Sequence, residues 1–323
     1  MATIKELTAI PERLAGGHRL CPGCGASVAV RQIMMAADPD TQVVVAGATG
    51  CLEVSTTIFP YTAWDTPYIH IAFENAAAAI SGVEAAYRGM VRQGKLDPNK
   101  KVKFVAFGGD GGTYDIGLQA LSGAMERGHD LVYVCYDNGA YMNTGIQRSS
   151  ATPRGAWATT SEVGSAQSGK QQVRKDLTAI MAAHGIPYVA QASVGYWQDM
   201  VKKAEKAFAV DGPAFINVMA PCPRGWRSED SQTGVHSRLS VDTAFWPSYE
   251  VENGEYKLTM PPRVKLDGIK PIEEFLKPQG RFKHLFKPGN EALLAEIQEQ
   301  VNETYGRLLD RCGVSHEAGG LKG

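Results

Sequence analysis

Four cysteines and one glycine-flanked carboxylate are the groups in this chain best suited to chemistry. Cys21 and Cys24 frame the turn Cys21-Pro22-Gly23-Cys24-Gly25, a spacing used for both zinc and iron–sulfur sites. Cys51 follows Ala48-Thr49-Gly50, and Cys222 sits between Pro221 and Pro223. Together the four thiols could hold a zinc ion or a [4Fe–4S] cluster. The carboxylate is Asp110, in Gly108-Gly109-Asp110-Gly111-Gly112, and Asn138 lies 28 residues beyond it. Glycines let the backbone approach phosphate oxygens, and a helix beginning just afterwards favours their negative charge. A diphosphate would repel Asp110 unless a cation lay between them. Magnesium takes near-octahedral oxygen ligands, which Asp110, the Asn138 amide and the Ala140 carbonyl could supply beside phosphate and water.

Such groups need a rigid frame, and the hydrophobic pattern describes one. Short apolar runs at Gln42–Ala46, Tyr68–Ile71, Val102–Phe107, Leu131–Tyr136, Tyr188–Gln191 and Phe215–Met219 alternate with helical stretches. That alternation predicts an α/β fold, a mostly parallel sheet with helices on both faces. The helices expected are Glu74–Gln93, Asp115–Arg127, Gln172–His184 and Tyr196–Val210. In a parallel sheet Cys51, Asp110, Asn138 and Cys222 all fall at the carboxyl ends of strands, the edge where open sheets bind ligands. Residues 1–222 read as this core. Residues 223–323 read as a C-terminal arm that packs on the core and on partner subunits, with an irregular or hairpin segment over Pro247–Pro262, an amphipathic helix over Asn290–Arg311 and a polar tail. The Ser/Thr/Gly-rich segment Arg148–Gly169 lacks a period and predicts a lid or binding loop.

Composition narrows the partners. The chain has 323 residues and a net charge of −1, with no basic run, so neither its total charge nor a local patch suits nucleic acid. No run approaches the ~18 consecutive apolar residues of a membrane span. The mixed-charge N-terminus lacks a signal-peptide core, which points to the cytoplasm. Six cysteines there are ligands or buried thiols rather than disulfides.

A Gly-Asp-Gly turn, 26 residues and then Asn is the thiamine diphosphate signature. With Cys21-Pro22-Gly23-Cys24-Gly25, Ala48-Thr49-Gly50-Cys51-Leu52-Glu53, Asp137-Asn138 through Asn143-Thr144-Gly145, and Gln279-Gly280-Arg281-Phe282, most of the chain resembles the β subunit of 2-oxoacid:ferredoxin oxidoreductases, most closely the pyruvate branch. The resemblance implies the thiamine diphosphate-binding fold and three cofactors, thiamine diphosphate, Mg2+ and a [4Fe–4S] cluster. It makes Cys21, Cys24, Cys51 and Cys222 the cluster ligands, and Asp110, Asn138 and the Ala140 carbonyl the magnesium ligands. Thr49, Gly50, Cys51, Glu53, Gly109, Gly111, Gly112 and Thr144 join the cofactor site, with Asn143 facing the reacting end of the cofactor. It further implies an α subunit, with γ and δ subunits or fused equivalents, ferredoxin, and coenzyme A or another acyl acceptor. The implied reaction is oxidative decarboxylation of a 2-oxoacid, pyruvate first, with oxalate or a branched-chain acid as alternatives. On the residues alone, a non-redox thiamine enzyme with a structural zinc site stays open. Gly139 departs from the acidic residue expected of many pyruvate-type relatives.

Other residues read as structural. His70 predicts a core histidine, and Glu74 a helix-end acid near the pocket at most. Cys135 predicts a buried small hydrophobe, Cys312 a bystander, and Lys202, Lys203 and Lys206 a solvated face. Arg154, Lys170 and Arg174 read as solvated too, or as contacts for coenzyme A phosphates. Asp110 itself predicts an exposed turn carboxylate.

Overall fold

The computed structural model of the chain describes residues 3–260 and 269–314. Pro261 and Pro262 of the expected hairpin segment, and the tail from 315 onward, lie outside the described residues. Eight strands form one sheet in the order β2-β1-β3-β4-β6-β5-β7-β8. They are β1 Gln42–Ala48, β2 Tyr68–Ile71, β3 Val102–Gly109, β4 Leu131–Asp137, β5 Tyr188–Ser193, β6 Ala214–Met219, β7 Tyr249–Glu252 and β8 Glu255–Leu258. The first six run parallel; β7 and β8 are antiparallel additions from the arm. All six predicted core strands form.

Alternate residues of each central strand serve opposite faces. Phe104 and Ala106 of β3 pack with the helices Ala76–Arg92 and Leu118–Glu126. Val105 and Phe107 pack on the other side with Gly25–Met34 and Trp197–Ala209. Burial on both faces explains why these strands read as continuous apolar runs. The arm belongs to the first of these cores, where Trp226, Phe275, Phe282 and Tyr305 are buried.

The chain winds from β1 outward to β2, then returns to add β3 on β1's other side. That reversal opens a crevice between the carboxyl ends of β1 and β3. Registers align Gly47 with Phe107, Gly109 with Tyr136 and Asp137 with Met219. Four loops therefore leave the same edge side by side.

Several helix expectations are corrected. The expected helix from Asp115 is preceded by a π turn, Gly111–Ile116, in which the Gly117 N–H donates to the Gly112 carbonyl at 2.7 Å. A regular helix follows only at Leu118–Glu126. The helix expected from Gln172 starts at Leu177, because the Asp176 carboxylate accepts the Ala179 N–H at 3.0 Å and caps it there. The short helices Cys51–Thr56 and Ile272–Leu276, and the longer Gly25–Met34 and Thr233–Asp242, have no counterpart in the predicted set. Residues 148–169 are not a loose lid. Lys170, buried, donates to the carbonyls of Ser149, Ser150 and Thr152 at 3.2, 3.2 and 2.6 Å and pins the loop's start to its end.

Candidate active site

Asp110 joins β3 to the π turn and is fully buried, contrary to the exposed carboxylate expected. Its Oδ1 accepts the Asn138 backbone N–H at 3.2 Å, and its Oδ2 accepts the Ser149 hydroxyl at 2.5 Å. One terminal atom of the Asn138 amide stands 2.9 Å from Asp110 Oδ1 and 3.0 Å from the Ala140 carbonyl oxygen. Neighbouring corners of an octahedron with bonds of about 2.1 Å are ~3.0 Å apart. With its oxygen at that position, the amide completes a donor set that fits a magnesium ion. With its nitrogen there, it donates to both oxygens. Burial, and next the charge of Asp137, push the Asp110 carboxyl up to about 8. Without a cation this group is therefore mostly protonated at neutral pH.

The glycines are required by close approach. A Cβ on Gly111 would lie 2.4 Å from the Tyr141 ring, and one on Gly50 2.8 Å from the Tyr136 hydroxyl. Gly139 has φ +77° and would put a Cβ 2.9 Å from Arg281 Nη1, so this geometry resists the acidic residue expected there.

A pocket of about 30 Å³ lies in the crevice. It gathers Thr49-Gly50-Cys51 from the end of β1, Gly109 to Gly112 from β3, and Asn138, Ala140, Asn143 and Thr144 from beyond β4. Every sequence-derived cofactor residue lines it except Glu53. Glu53 is buried in the helix that Cys51 opens, with its Oε1 accepting from Thr57 at 3.0 Å and its Oε2 3.6 Å from His70 Nε2. His70 is no core histidine. It is half-exposed, and its Nε2 lies 2.7 Å from Thr49 Oγ1. Phe73, rather than its neighbour Glu74, lines the pocket.

Cys51 belongs to this pocket and also lies near the other thiols. The thiols of Cys51 and Cys222 each lie within electrostatic reach of those of Cys21 and Cys24. The Gly25 N–H bonds the Pro221 carbonyl at 2.9 Å, which holds the Cys24 turn against the loop of Cys222. Three of the sulfurs accept hydrogen bonds: Cys24 from the N–H groups of Ser27 and Ala26, Cys51 from the Asn143 side chain, and Cys222 from the Gly225 N–H at 3.4 Å. Burial nonetheless raises Cys24 and Cys51, and pushes Cys222 up to about 12. Free, these thiols keep their protons at neutral pH; ligation to a metal would displace them. Among the described residues no three His, Cys, Asp or Glu groups converge tightly enough for a single ion. Cys135 is buried in β4, as expected.

Several functional neighbours are absent from the sequence reading. Ser149 comes from the pinned loop. Trp226 Nε1 donates to the Asn138 carbonyl at 2.7 Å, and Arg281 Nη1 reaches the same oxygen at 3.5 Å. Both come from the arm, and Arg281 lies over the Trp226 ring at 4.3 Å. Burial pushes the Arg281 guanidinium down to about 9. Arg281 stood in a recognised motif; for Trp226 and Ser149 no sequence signal was available. The expected solvated cations are partly corrected. Lys203 is buried against Asp199 and Ser248 at 2.7 and 2.6 Å, and Arg174 pairs with Asp137 at 2.6 Å.

Residues 48–218 match the family of thiamine pyrophosphate enzymes through its C-terminal, cofactor-binding domain. The chain is 53% identical to pyruvate synthase subunit PorB of Thermotoga maritima, over 91% of its length and 90% of that protein's. It is 50% identical to the PorB of Methanocaldococcus jannaschii, covering 90% and 95% of the two chains. The chain belongs to the 2-oxoacid:ferredoxin oxidoreductase β-subunit family. It is thus part of an enzyme. The subunit is also 46% identical to ketoisovalerate oxidoreductase subunit VorB of Pyrococcus furiosus, over 94% and 96% of the two chains. In fold it resembles a chain of the 2-oxoglutarate:ferredoxin oxidoreductase of Magnetococcus marinus, with a TM-score of 0.54 at 22% identity, covering 84% of this subunit and 92% of that chain. Among the described residues no helix is long and apolar enough to cross a membrane.

Proposed function

We propose that this β subunit serves the oxidative decarboxylation of pyruvate, passing electrons to ferredoxin and the acyl group to coenzyme A. Asp110, Asn138 and the Ala140 carbonyl would hold Mg2+ against the diphosphate of the cofactor. Cys21, Cys24, Cys51 and Cys222 would hold a [4Fe–4S] cluster. One observation carries the reading: Cys51 lines the cofactor pocket and also lies within electrostatic reach of the other three thiols. A single residue then separates the site of carbon chemistry from the site of electron transfer. When bound, thiamine diphosphate supplies the carbanion chemistry of decarboxylation, and the cluster the one-electron chemistry.

The chain's own groups position and shield. Gly111 and Gly112 admit the Tyr141 ring and the Phe73 carbonyl against the π turn, a distortion that recurs at functional sites. Asn143, bonded to the Cys51 sulfur, ties the pocket wall to the cluster ligand. The α subunit, with γ and δ subunits or their fused equivalents, would supply the remaining pocket wall and the acid that activates the aminopyrimidine. The identity to pyruvate synthase subunits favours pyruvate, while the VorB relative keeps a branched-chain 2-oxoacid as the second reading.

The test is a panel of 2-oxoacids on the purified complex, with viologen reduction followed with and without coenzyme A. Pyruvate should be turned over fastest and only with coenzyme A. Iron and acid-labile sulfide should approach ~4 each per β subunit, the content of a [4Fe–4S] cluster. Zinc in place of iron would transfer the chain to the non-redox alternative.

A further inference from the structure

A second cavity, about 190 Å³, shares no lining residue with the cofactor pocket. It opens between residues 173–177, the turn from Ala244 to Pro247 and the arm helix Glu291–Arg311. Phe245, Trp246 and Tyr249 form an aromatic wall, faced by Ile297, Val301 and Leu308 of the helix. Five cations line it, Arg154, Arg174, Lys175, Arg307 and Arg311, against one acid, Asp176. Asp176 Oδ1 is already engaged by the Ala179 N–H.

The cations differ in how committed they are. Arg154 and Arg307 pair with Glu296 and Glu303 at the rim, where exposed pairs bind weakly. Arg154 Nε is buried without a hydrogen-bond partner. Arg174 lies deepest. Its guanidinium stacks on Trp246, 4.6 Å from the ring centroid, and its bonds to the Tyr114 hydroxyl at 3.0 Å and Asp137 at 2.6 Å are both made by Nη2. Nε and Nη1 remain as single donors on separate edges of the guanidinium, beside its positive charge.

We propose that this cavity binds a small organic monoanion, a carboxylate on an aromatic or branched apolar body. Charge selects the anion and the walls select the body. Size selects a small one, since a cavity of about 150 Å³ admits benzene. Benzoate is the simplest molecule that meets all three conditions. The site is independent of the cofactor assignment, so neither stands or falls with the other.

Isothermal titration of benzoate into the assembled, cofactor-saturated complex tests it, with benzyl alcohol as the uncharged control and inorganic phosphate as the charge-only control. One saturable site per β subunit is expected, with both controls at least about tenfold weaker, because benzyl alcohol lacks the charge that the lining cations select and phosphate lacks the apolar body that the walls select. Arg174→Lys keeps the charge, loses the planar guanidinium stacked on Trp246 with its Nε and Nη1 donors, and should weaken benzoate by about tenfold. Because Arg174 also pairs with Asp137, Thr304→Trp provides a second variant. Thr304 is on the exposed side of the arm helix and lines the cavity, so indole there fills the mouth and should abolish binding while viologen reduction is retained. Three results would each overturn the proposal: no saturable benzoate site in the wild-type complex, equal affinity for benzyl alcohol, or undiminished binding in Thr304→Trp. The last would place the anion in the substrate pocket instead.

Discussion

Asp110 and Asn138 meet twice, at 3.2 Å through the Asn138 backbone N–H and at 2.9 Å through its side chain. The first contact fixes the loop after β4 against the loop after β3; the second brings the amide to the same carboxylate oxygen. Strand register makes the pairing possible, since Gly109 and Tyr136 stand opposite each other one and two residues earlier. The clamp is thus built from the sheet, a rigid element, rather than from mobile loop tips.

Asp110→Ala should abolish turnover by removing the carboxylate from the cation site. Affinity for magnesium and thiamine diphosphate is expected to fall at least ~100-fold, the scale on which disturbing a metal site acts. The fold should persist. The mutation leaves the Asn138 N–H without an acceptor, at about 1–3 kcal/mol, and the Ser149 hydroxyl with only Thr152 Oγ1 at 3.4 Å, but also removes a desolvated carboxyl. Wild-type affinity in calorimetry would refute the clamp.

Cofactor binding should release protons below pH 8. The Asp110 carboxyl, held up to about 8 chiefly by burial, must ionise to face a cation. Between pH 5 and 7 about one proton should leave per cofactor bound, and affinity should rise with pH before levelling near 8. The apo chain should show the opposite trend in stability. Between roughly pH 4 and 8 the folded state retains a proton that the unfolded chain has lost, so stability falls as pH rises through that window. Calorimetry in buffers of differing ionisation enthalpy measures the proton count; zero release at pH 6 would contradict the assignment.

Cys51→Ser should lose or convert the cluster while leaving cofactor binding largely intact. Serine oxygen is a harder ligand than thiolate and holds iron poorly. Asn143 would lose its sulfur acceptor as well. Cys135→Ser is the control, since Cys135 is buried within β4, away from the pocket lining. Low-temperature electron paramagnetic resonance should distinguish them: altered for Cys51→Ser, unchanged for Cys135→Ser.

Trp226→Phe should loosen the clamp from the arm side. It deletes the indole N–H bonded at 2.7 Å to the Asn138 carbonyl and leaves that oxygen only the longer Arg281 contact at 3.5 Å. A cost of about 1–3 kcal/mol is expected for an under-satisfied buried acceptor, with a lower melting temperature and weaker thiamine diphosphate binding. If both stayed at wild-type values, the arm would have no part in holding Asn138.

These neighbours mark the limit of what residue order conveys. The central strands were legible because each is buried on both faces and β-branched, and the Asp110–Asn138 pairing because its spacing spans one strand–helix–strand unit. Ser149 and Trp226 were not legible, since they reach the site through tertiary packing from segments 39 and 88 residues away from their partners. His70 was misread because a short strand containing histidine resembles core, whereas β2 is the sheet's edge. Lys170 and Lys203 look like surface lysines in sequence. Only the structure brings carbonyls, Asp199 and Ser248 around them.

The final prediction concerns assembly. Beyond the helix Cys51–Thr56, Phe59 and Tyr61 are 94% and 75% exposed, and Ile69 on the edge strand β2 is 42% exposed. Two aromatic side chains so open to water are costly unless a partner covers them. Among the described residues, two buried carboxylates near the site are left unused by the clamp: Glu53 is bonded to Thr57 and faces His70, and Asp137 pairs with Arg174, so the acid that activates the aminopyrimidine is expected from the α subunit. Expressed alone with its cluster, the chain should turn over no 2-oxoacid; co-expression with the α subunit should restore activity. Phe59→Ser with Tyr61→Ser should leave the isolated chain within about 0.5 kcal/mol of wild type, as surface changes do, yet prevent assembly in analytical ultracentrifugation. An isolated chain that oxidised pyruvate at the rate of the complex would return the acid to this subunit, and Glu53 would be the first residue to replace.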